Sequence, residues 1–259
     1  MNDLPRINPQ KEKVKISRFL RSVFTGAKIK RAIIGVSGGI DSTTSLYLLK
    51  EVLPLKNIVV AHLYYRNISA VQYQTVVEAA GLPQANIMAV SIRPVVEAFQ
   101  KSLKIDPTKA EERLRLGNVM SRVRMIILFD LAKKHRALVC GTENKSERQL
   151  GYFTRFGDAA SDIEPISHLY KLQVQELAKH LGVPKEIIDA IPTAGLWPGQ
   201  TDEGELGFSY QEADPVLQLY FDKKITVEEI KKKGYRKVDI ILRQAFNNKF
   251  KHQVPYSLG

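Results

Sequence analysis

The chain has 259 residues, 44% hydrophobic and 25% charged, with a formal net charge of +12 at neutral pH. That length and balance fit one large α/β domain, and no bias marks the chain as disordered. The single cysteine, Cys140, excludes an internal disulfide and a cysteine-based zinc site, and the basic excess favours polyanionic partners such as nucleotides, pyrophosphate or nucleic acid.

The polar start MNDLPRINPQ does not read as a signal peptide. The most apolar stretch, Met125 to Leu131, is interrupted by Asp130 and too short to span a bilayer. A cytosolic protein with no membrane association is expected. An amphipathic helix is predicted over 10–25. RAIIGVSGG then reads as a buried strand running into a glycine turn, and DSTTSLYLLKEVL as a helix with Leu46, Leu49, Val52 and Leu53 on one face. NIVVAHLYY is a second strand, 69–80 a helix stopped by Gly81-Leu82-Pro83, and NIMAVSI a third strand. Residues 94–116 are expected to hold a helix or two and a charged loop. SRVRMIILFDLAKKH reads as a strong helix and ALVCGT as a fourth parallel strand, with Cys140 as a small buried residue in it. Short apolar strands alternating with helices predict a doubly wound parallel sheet flanked by helices.

Beyond this strand the segment from Glu143 to Ile166 is polar and poor in periodicity, where α/β proteins build sites. LYKLQVQELAKHLG is a helix, 192–209 is read as a loop with no core pattern, and helices are expected near 210–221 and 226–245. Loops of that length are commonly functional lids or disordered. Basic residues gather near both ends, and solvated helix faces explain them most simply. The five histidines, His62, His135, His168, His180 and His252, show no zinc-ligand spacing and are assigned no catalysis.

The first strand and its helix are joined by Gly35-Val36-Ser37-Gly38-Gly39-Ile40-Asp41-Ser42. Glycines let such a loop turn tightly and aim N–H groups at an anion, and the helix N-terminus adds its positive end. Ser37 and Ser42 supply hydroxyl donors. Asp41 repels phosphate unless a cation lies between them, which points to Mg²⁺. No lysine follows the glycines as in the Walker loop, and the dinucleotide G-x-G-x-x-G pattern is absent.

SGGIDS resembles the loop of the N-type ATP pyrophosphatases, which adenylate a carbonyl or carboxylate and release pyrophosphate. Among them the loop alone does not choose. The later segments do: Gly141-Thr142-Glu143-Asn144-Lys145-Ser146-Glu147, Gly151 through Asp158, Asp162, Leu169-Tyr170-Lys171, Pro192 through Trp197 and Thr201 through Gly207. In order and spacing they resemble the NAD synthetase family, from about residue 10 to about residue 255.

The resemblance implies ATP as a substrate bound by the loop 35–42, Thr142, Lys171 and Thr193, with Mg²⁺ held by Asp41 and Glu147. Two carboxylates brought to one strand end also need a cation on physical grounds. Arg122, Arg155, Asp162 and Lys251 match positions that bind deamido-NAD. Arg155 stands where lysine is common, and Phe250-Lys251-His252 where a His-Lys-Arg run is usual. Asp158 is implied to attract ammonium and take its proton, with Asp162 nearby and Glu203 assisting. Trp197 is expected to anchor the closed loop.

The implied reaction is amidation of deamido-NAD to NAD through an acyl adenylate, with ammonia as nitrogen donor and AMP and pyrophosphate released. Closure of 193–207 protects the adenylate from water. No glutaminase domain is recognised in the sequence, and a separate glutaminase subunit remains open. The family resemblance further implies a homodimer, with the helix of Arg122, Val123, Met125, Ile126 and Ile127 serving core and partner. Two rival readings stand beside this: a tRNA-modifying adenylating enzyme, and a non-catalytic nucleotide or nucleic-acid binder. Asp41, Glu147, Lys171 and Asp158 together weigh against the second.

Overall fold

A computed structural model describes residues 6–66, 70–253 and 256. Four short strands form one parallel sheet: β1 (Ala32–Gly35), β2 (Ile58–Tyr64), β3 (Ile87–Ser91) and β4 (Leu138–Cys140), in the spatial order β3-β2-β1-β4. All three pairings are parallel, with Ala32 opposite both Ile58 and Leu138. The central strands β1 and β2 are buried and largely apolar, with His62 the polar exception inside β2, as suits strands covered on both faces.

Helices cover each face. On one side lie α1 (Pro9–Ala27), α2 (Ile40–Lys50), α3 (Ala70–Ala80), α7 (Lys171–His180) and the short α8 (Lys185–Ile188), whose core includes Leu20, Leu46, Leu49, Val76 and Leu177. On the other lie α4 (Arg93–Ser102) and α5 (Ala110–His135), closing over Ile33, Val59, Leu116, Met120 and Val123. A third cluster, centred on Leu150, Tyr170, Phe208 and Leu217, joins α6 (Lys145–Leu150) to the C-terminal helices. Each fully buried leucine contributes about 2 kcal/mol of transfer free energy.

Several local expectations change. The helix α2 is buried from Ile40 to Leu49 except at half-buried Asp41, not along one stripe, because α1 and α7 wrap it against the sheet. It ends at Lys50, so Val52 and Leu53 pack from the following turn. The charged segment before Ser121 is the first half of α5, a single helix of 26 residues whose Leu116, Gly117 and Met120 are buried. Inside the 192–209 loop lies α9 (Asp202–Leu206), capped by the Thr201 hydroxyl. The predicted 210–221 helix is α10 (Tyr210–Leu217) continued by a wider π turn, Gln218–Asp222. The predicted 226–245 helix is two, α11 (Val227–Lys232) and α12 (Val238–Asn247), broken where Gly234 takes φ +88°. Residue 69 of the predicted third helix lies outside the described residues. No described helix is long and apolar enough to cross a membrane.

The order β3-β2-β1-β4 sets the place of the site. The chain leaves β1 toward one face and arrives at β4 from the other, so a crevice opens at the C-terminal ends of these two neighbours.

Candidate active site

The loop after β1 turns at Gly38, whose φ of +94° and a gap too small for a Cβ (2.8 Å to Gln72) both require glycine. Ser37 and Ser42 oxygens lie 3.3 Å apart, the Gly39 amide donates to Ser37 Oγ at 3.2 Å, and Ser42 donates to the Gly39 carbonyl at 3.1 Å. These bonds hold the turn of 35–39 against the α2 N-terminus. Ile40 and Asp41 open that helix.

The loop after β4 begins with Gly141 and Thr142 and leads to Asn144, the N-cap of α6. Its side chain accepts from the Glu147 amide at 3.0 Å, while Glu147 reaches back to the Asn144 amide at 3.3 Å. The Asn144 amide group donates to Asp41 at 3.0 Å. One buried asparagine therefore ties the two acids together across the crevice.

Lys171, the first residue of α7, is 2% exposed. Its ammonium bonds Asp41 and lies 3.6 Å from Glu147. Burial works against that charge, but Asp41 and Glu147 together raise the lysine above its ordinary value. Glu147 moves up too, from burial and then from Asp41 beside it. Lys171 is held from behind: its amide donates to Ser146 Oγ at 2.9 Å, that hydroxyl donates to Asp214 at 2.5 Å, and Asp214 also takes the Leu172 amide at 2.9 Å. Burial pushes Asp214 up to about 7.

A third acid faces this cluster. Asp202 in α9 is buried, bonded by Tyr210 at 3.0 Å and Tyr152 at 3.3 Å, and raised by burial against the pull of Lys171. Its neighbour Glu203 is exposed on the outer side of α9. Thr193 closes the preceding loop, donating to the Gln200 carbonyl at 2.8 Å and accepting from Gly195 at 3.0 Å. Leu196 sits over Gly117 of α5, where a Cβ would come within 2.8 Å, and Trp197 lies under the Arg113 guanidinium at 5.5 Å. The loop thus reaches from α5 to the neighbourhood of Lys171 with Trp197 as an anchor point. Among the described residues no three His, Cys, Asp or Glu side chains are grouped to hold a metal by themselves.

Farther along, Asp158 is exposed and fixed by one oxygen. Its Oδ1 accepts the Ser121 hydroxyl at 2.5 Å and the Thr154 amide at 3.0 Å. Asp162 lies on the outer edge of β4, where its Oδ2 accepts the Val139 amide at 2.8 Å. Arg122 is exposed on α5 and donates to the Arg155 carbonyl at 3.3 Å. The Arg155 guanidinium lies over both Phe156 (5.5 Å) and Phe250 (5.7 Å), so the phenylalanine in place of a usual histidine packs on this cation. Lys251 donates to the Gly151 and Phe153 carbonyls at 2.6 and 3.0 Å.

Sequence reasoning gave no role to Asn144, Asp202, Asp214, Glu143 or Glu164. The capping pattern Asn144-x-x-Glu147 was a readable signal for the first. Glu143 and Glu164 lie against β4, where Gly141 leaves room for the Glu164 carboxylate; an added Cβ would fall 1.8 Å from it. Burial, then each other and Asp158, push Glu143 up to about 8; burial likewise takes Glu164 up to about 7. His62 is a satisfied core histidine, bonded to Val36 at 3.0 Å and stacked on Tyr73. Cys140 is buried in β4 as expected.

Comparison with known proteins meets this geometry. The profile described as NAD synthase matches residues 12–255. The NH(3)-dependent NAD(+) synthetase of Thermoplasma acidophilum is 41% identical over 94% of this chain and 95% of its own. Among solved structures, the NMN synthetase of Francisella tularensis superposes with a TM-score of 0.81 at 31% identity, covering 97% of this chain and 99% of its own. The NH3-dependent NAD synthetase of Campylobacter jejuni gives 0.79 at 26% identity, covering 98% and 100%. A parallel sheet with a glycine turn at its switch point, and likeness of this extent, place the chain in the NAD synthase family, as a ligase that forms carbon–nitrogen bonds.

Proposed function

We propose that the protein converts deamido-NAD to NAD with ATP and free ammonia, through an acyl adenylate. The observation that carries this reading is the Lys171 ammonium held between Asp41 and Glu147 at the ends of β1 and β4. A lysine there is matched to a triphosphate on the loop 35–42, where it meets negative charge as pyrophosphate departs.

Asp41 and Glu147 fit a magnesium ion carried largely by ATP. Such an ion takes one or two protein carboxylates and completes its shell with phosphate oxygens and water. Asp41 and Glu147 lie close enough to share the Lys171 ammonium, and a pair of acids so placed favours positive charge. When bound, the ion neutralises phosphate charge and aids the leaving group.

The chain's own groups do the rest. Backbone amides at the start of α2 and the Ser37 and Ser42 hydroxyls receive phosphate oxygens, and Thr142 and Thr193 flank the nucleotide. Arg122 bonds the Arg155 carbonyl and Arg155 lies over Phe250 beside Lys251, three cations that suit a dinucleotide with two phosphates, while Asp162 on the edge of β4 meets its polar groups. The free oxygen of Asp158 draws ammonium and accepts its proton, and the nitrogen then displaces AMP from the acyl carbon. In α9 the buried Asp202 adds to the charge that holds Lys171, and the exposed Glu203 assists Asp158 in the ammonia step. The 193–207 segment excludes water from the adenylate.

The likeness to the Francisella enzyme supports a second reading, in which the acid substrate is nicotinate mononucleotide. One assay separates the readings. Product is measured from deamido-NAD or nicotinate mononucleotide, each with Mg-ATP and either ammonium or glutamine. NAD formation with ammonium at the higher kcat/KM is expected. Preference for the mononucleotide establishes the second reading, and no turnover of either acid overturns both.

We also read the chain as a homodimer. On α5, Val123 serves the core while Ile126 is 57% exposed, and Leu114 on the same helix is 52% exposed. Sedimentation equilibrium is expected to give twice the chain mass at micromolar concentration; a monomer there overturns this.

A further inference from the structure

The cations near the crevice differ in how far the protein meets their charge. Lys171 is matched by Asp41 and Glu147, Lys251 by two carbonyls, and Arg155 lies on two aromatic faces. Arg124 is different. Its Nε donates to the Leu63 carbonyl at 2.9 Å near the end of β2. Its Nη1 and Nη2 have no acceptor among the described residues, and no carboxylate lies within ion-pair distance. Burial lowers its ordinary value to about 10, and Asp158 opposes that shift.

Helix geometry fixes where the open fork sits. Arg124 shares a face of α5 with Ser121, three residues before it, and Leu128, four residues after it. Ser121 holds Asp158. Leu128 packs 3.4 Å from the position of a Cβ on Gly35, where β1 enters the phosphate loop. Arg124 therefore lies between the ammonium-accepting acid and the triphosphate loop of the proposed reaction. The reacting carboxylate must pass through that interval: one oxygen attacks the α-phosphorus and the carbonyl carbon later meets nitrogen.

We propose that Arg124 receives the substrate's pyridine carboxylate on Nη1 and Nη2 while Nε stays on Leu63. A planar fork with two unengaged nitrogens matches a carboxylate in bidentate geometry. After pyrophosphate leaves, the remaining acyl oxygen stays on the guanidinium. It gains negative charge as ammonia, whose first proton is already on Asp158, adds to the carbon, and loses that charge when the C–O bond to AMP breaks; the second proton, shed by the added nitrogen, leaves on the AMP phosphate. Arg124 also distinguishes acid from product, because a carboxamide brings no negative charge to the fork.

This assignment rests on the reaction proposed above, and the test keeps the two apart. Calorimetric binding of deamido-NAD and NAD, and of nicotinate and nicotinamide mononucleotide, is measured for the wild type, Arg124→Gln and Arg124→Lys. Arg124→Gln is expected to weaken the acid forms by about 10- to 100-fold, the worth of a charge-assisted pair. It should change the amide forms and the KM for ATP by less than about twofold, and Arg124→Lys should recover part of the acid preference. Equal weakening of acid and amide, or a rise confined to the ATP KM, overturns the assignment. A lowered unfolding temperature with the acid preference intact does so too, and reduces Arg124 to a fastener of α5 on β2. If Arg124→Gln does not fold, the acid-to-amide ratio of Arg124→Lys decides: a ratio equal to wild type overturns the assignment, and a reduced one supports it. A wild type that amidates neither acid removes the reaction and this role together; an active wild type with unchanged discrimination in the variants removes this role alone.

Discussion

Lys171→Met is expected to lower pyrophosphate release from ATP and the acid substrate by about 10²- to 10³-fold, as loss of a charge aimed at departing phosphate does. Methionine nearly matches the lysine stem, so α7 keeps its packing and its cap on Ser146 and Asp214. Asp41 and Glu147 are then left facing each other without the ammonium. Removing one partner from a buried ionic group destabilises by about 3 kcal/mol or more. The variant should recover stability in acid. Glu147 already titrates above its ordinary value, from burial and from Asp41, and loss of Lys171 moves it further up. A carboxyl raised in the folded state contributes stability fully present below its unfolded value of about 4.3 and lost as pH rises through the folded value. Urea titrations at pH 5 and pH 8 should therefore show a smaller deficit at pH 5. Wild-type pyrophosphate release by this variant would show that Lys171 does not serve the phosphates.

Asp158→Asn is expected to separate the two halves of the reaction. Oδ1 holds the loop by accepting from Ser121 and Thr154, and asparagine keeps an oxygen there. The second position changes from carboxylate oxygen to amide, and with it goes the acceptor for the ammonium proton. Isotope exchange between pyrophosphate and ATP, run without ammonia, should stay within a few-fold of wild type. NAD formation should fall by about 10²- to 10⁴-fold, the usual worth of general-base help. The defect should shrink as pH rises toward the ammonium pKa, since free ammonia needs no base, and added ATP should not rescue it. Ser121→Ala is the control that loosens the loop and leaves the carboxylate; it should depress both halves alike. If exchange falls as far as NAD formation in Asp158→Asn, the residue only shapes the loop.

Some of this site is readable along the chain because its signals are local. The strand, glycine turn and helix of 32–50 lie within one supersecondary unit, and the turn's anion-binding chemistry follows from backbone geometry alone. The cap of α6 is equally local, Asn144 to Glu147. The first half of α5 was harder to read. Its exposed face is charged, and Leu116, Gly117 and Met120 stand on the side that other elements cover. Only the packing of α4, the sheet and Leu196 reveals that stripe as core.

The sequence by itself determined the α/β class, the glycine turn at 35–42 and the resemblance to an adenylating ligase, because each is read from short local segments taken in order along the chain. Tertiary structure decided which distant groups meet. Strand order places β4 beside β1, so Asn144 reaches Asp41 over 103 positions and Lys171 reaches it over 130. It also decided faces. Arg122 and Arg124 are two residues apart, which on a helix turns them by about 200°. One is exposed and the other reaches the end of β2. Asp202 and Glu203 divide in the same way between burial and solvent. Periodicity says that such neighbours face different ways, but only the surface against which the helix packs says which one faces the site.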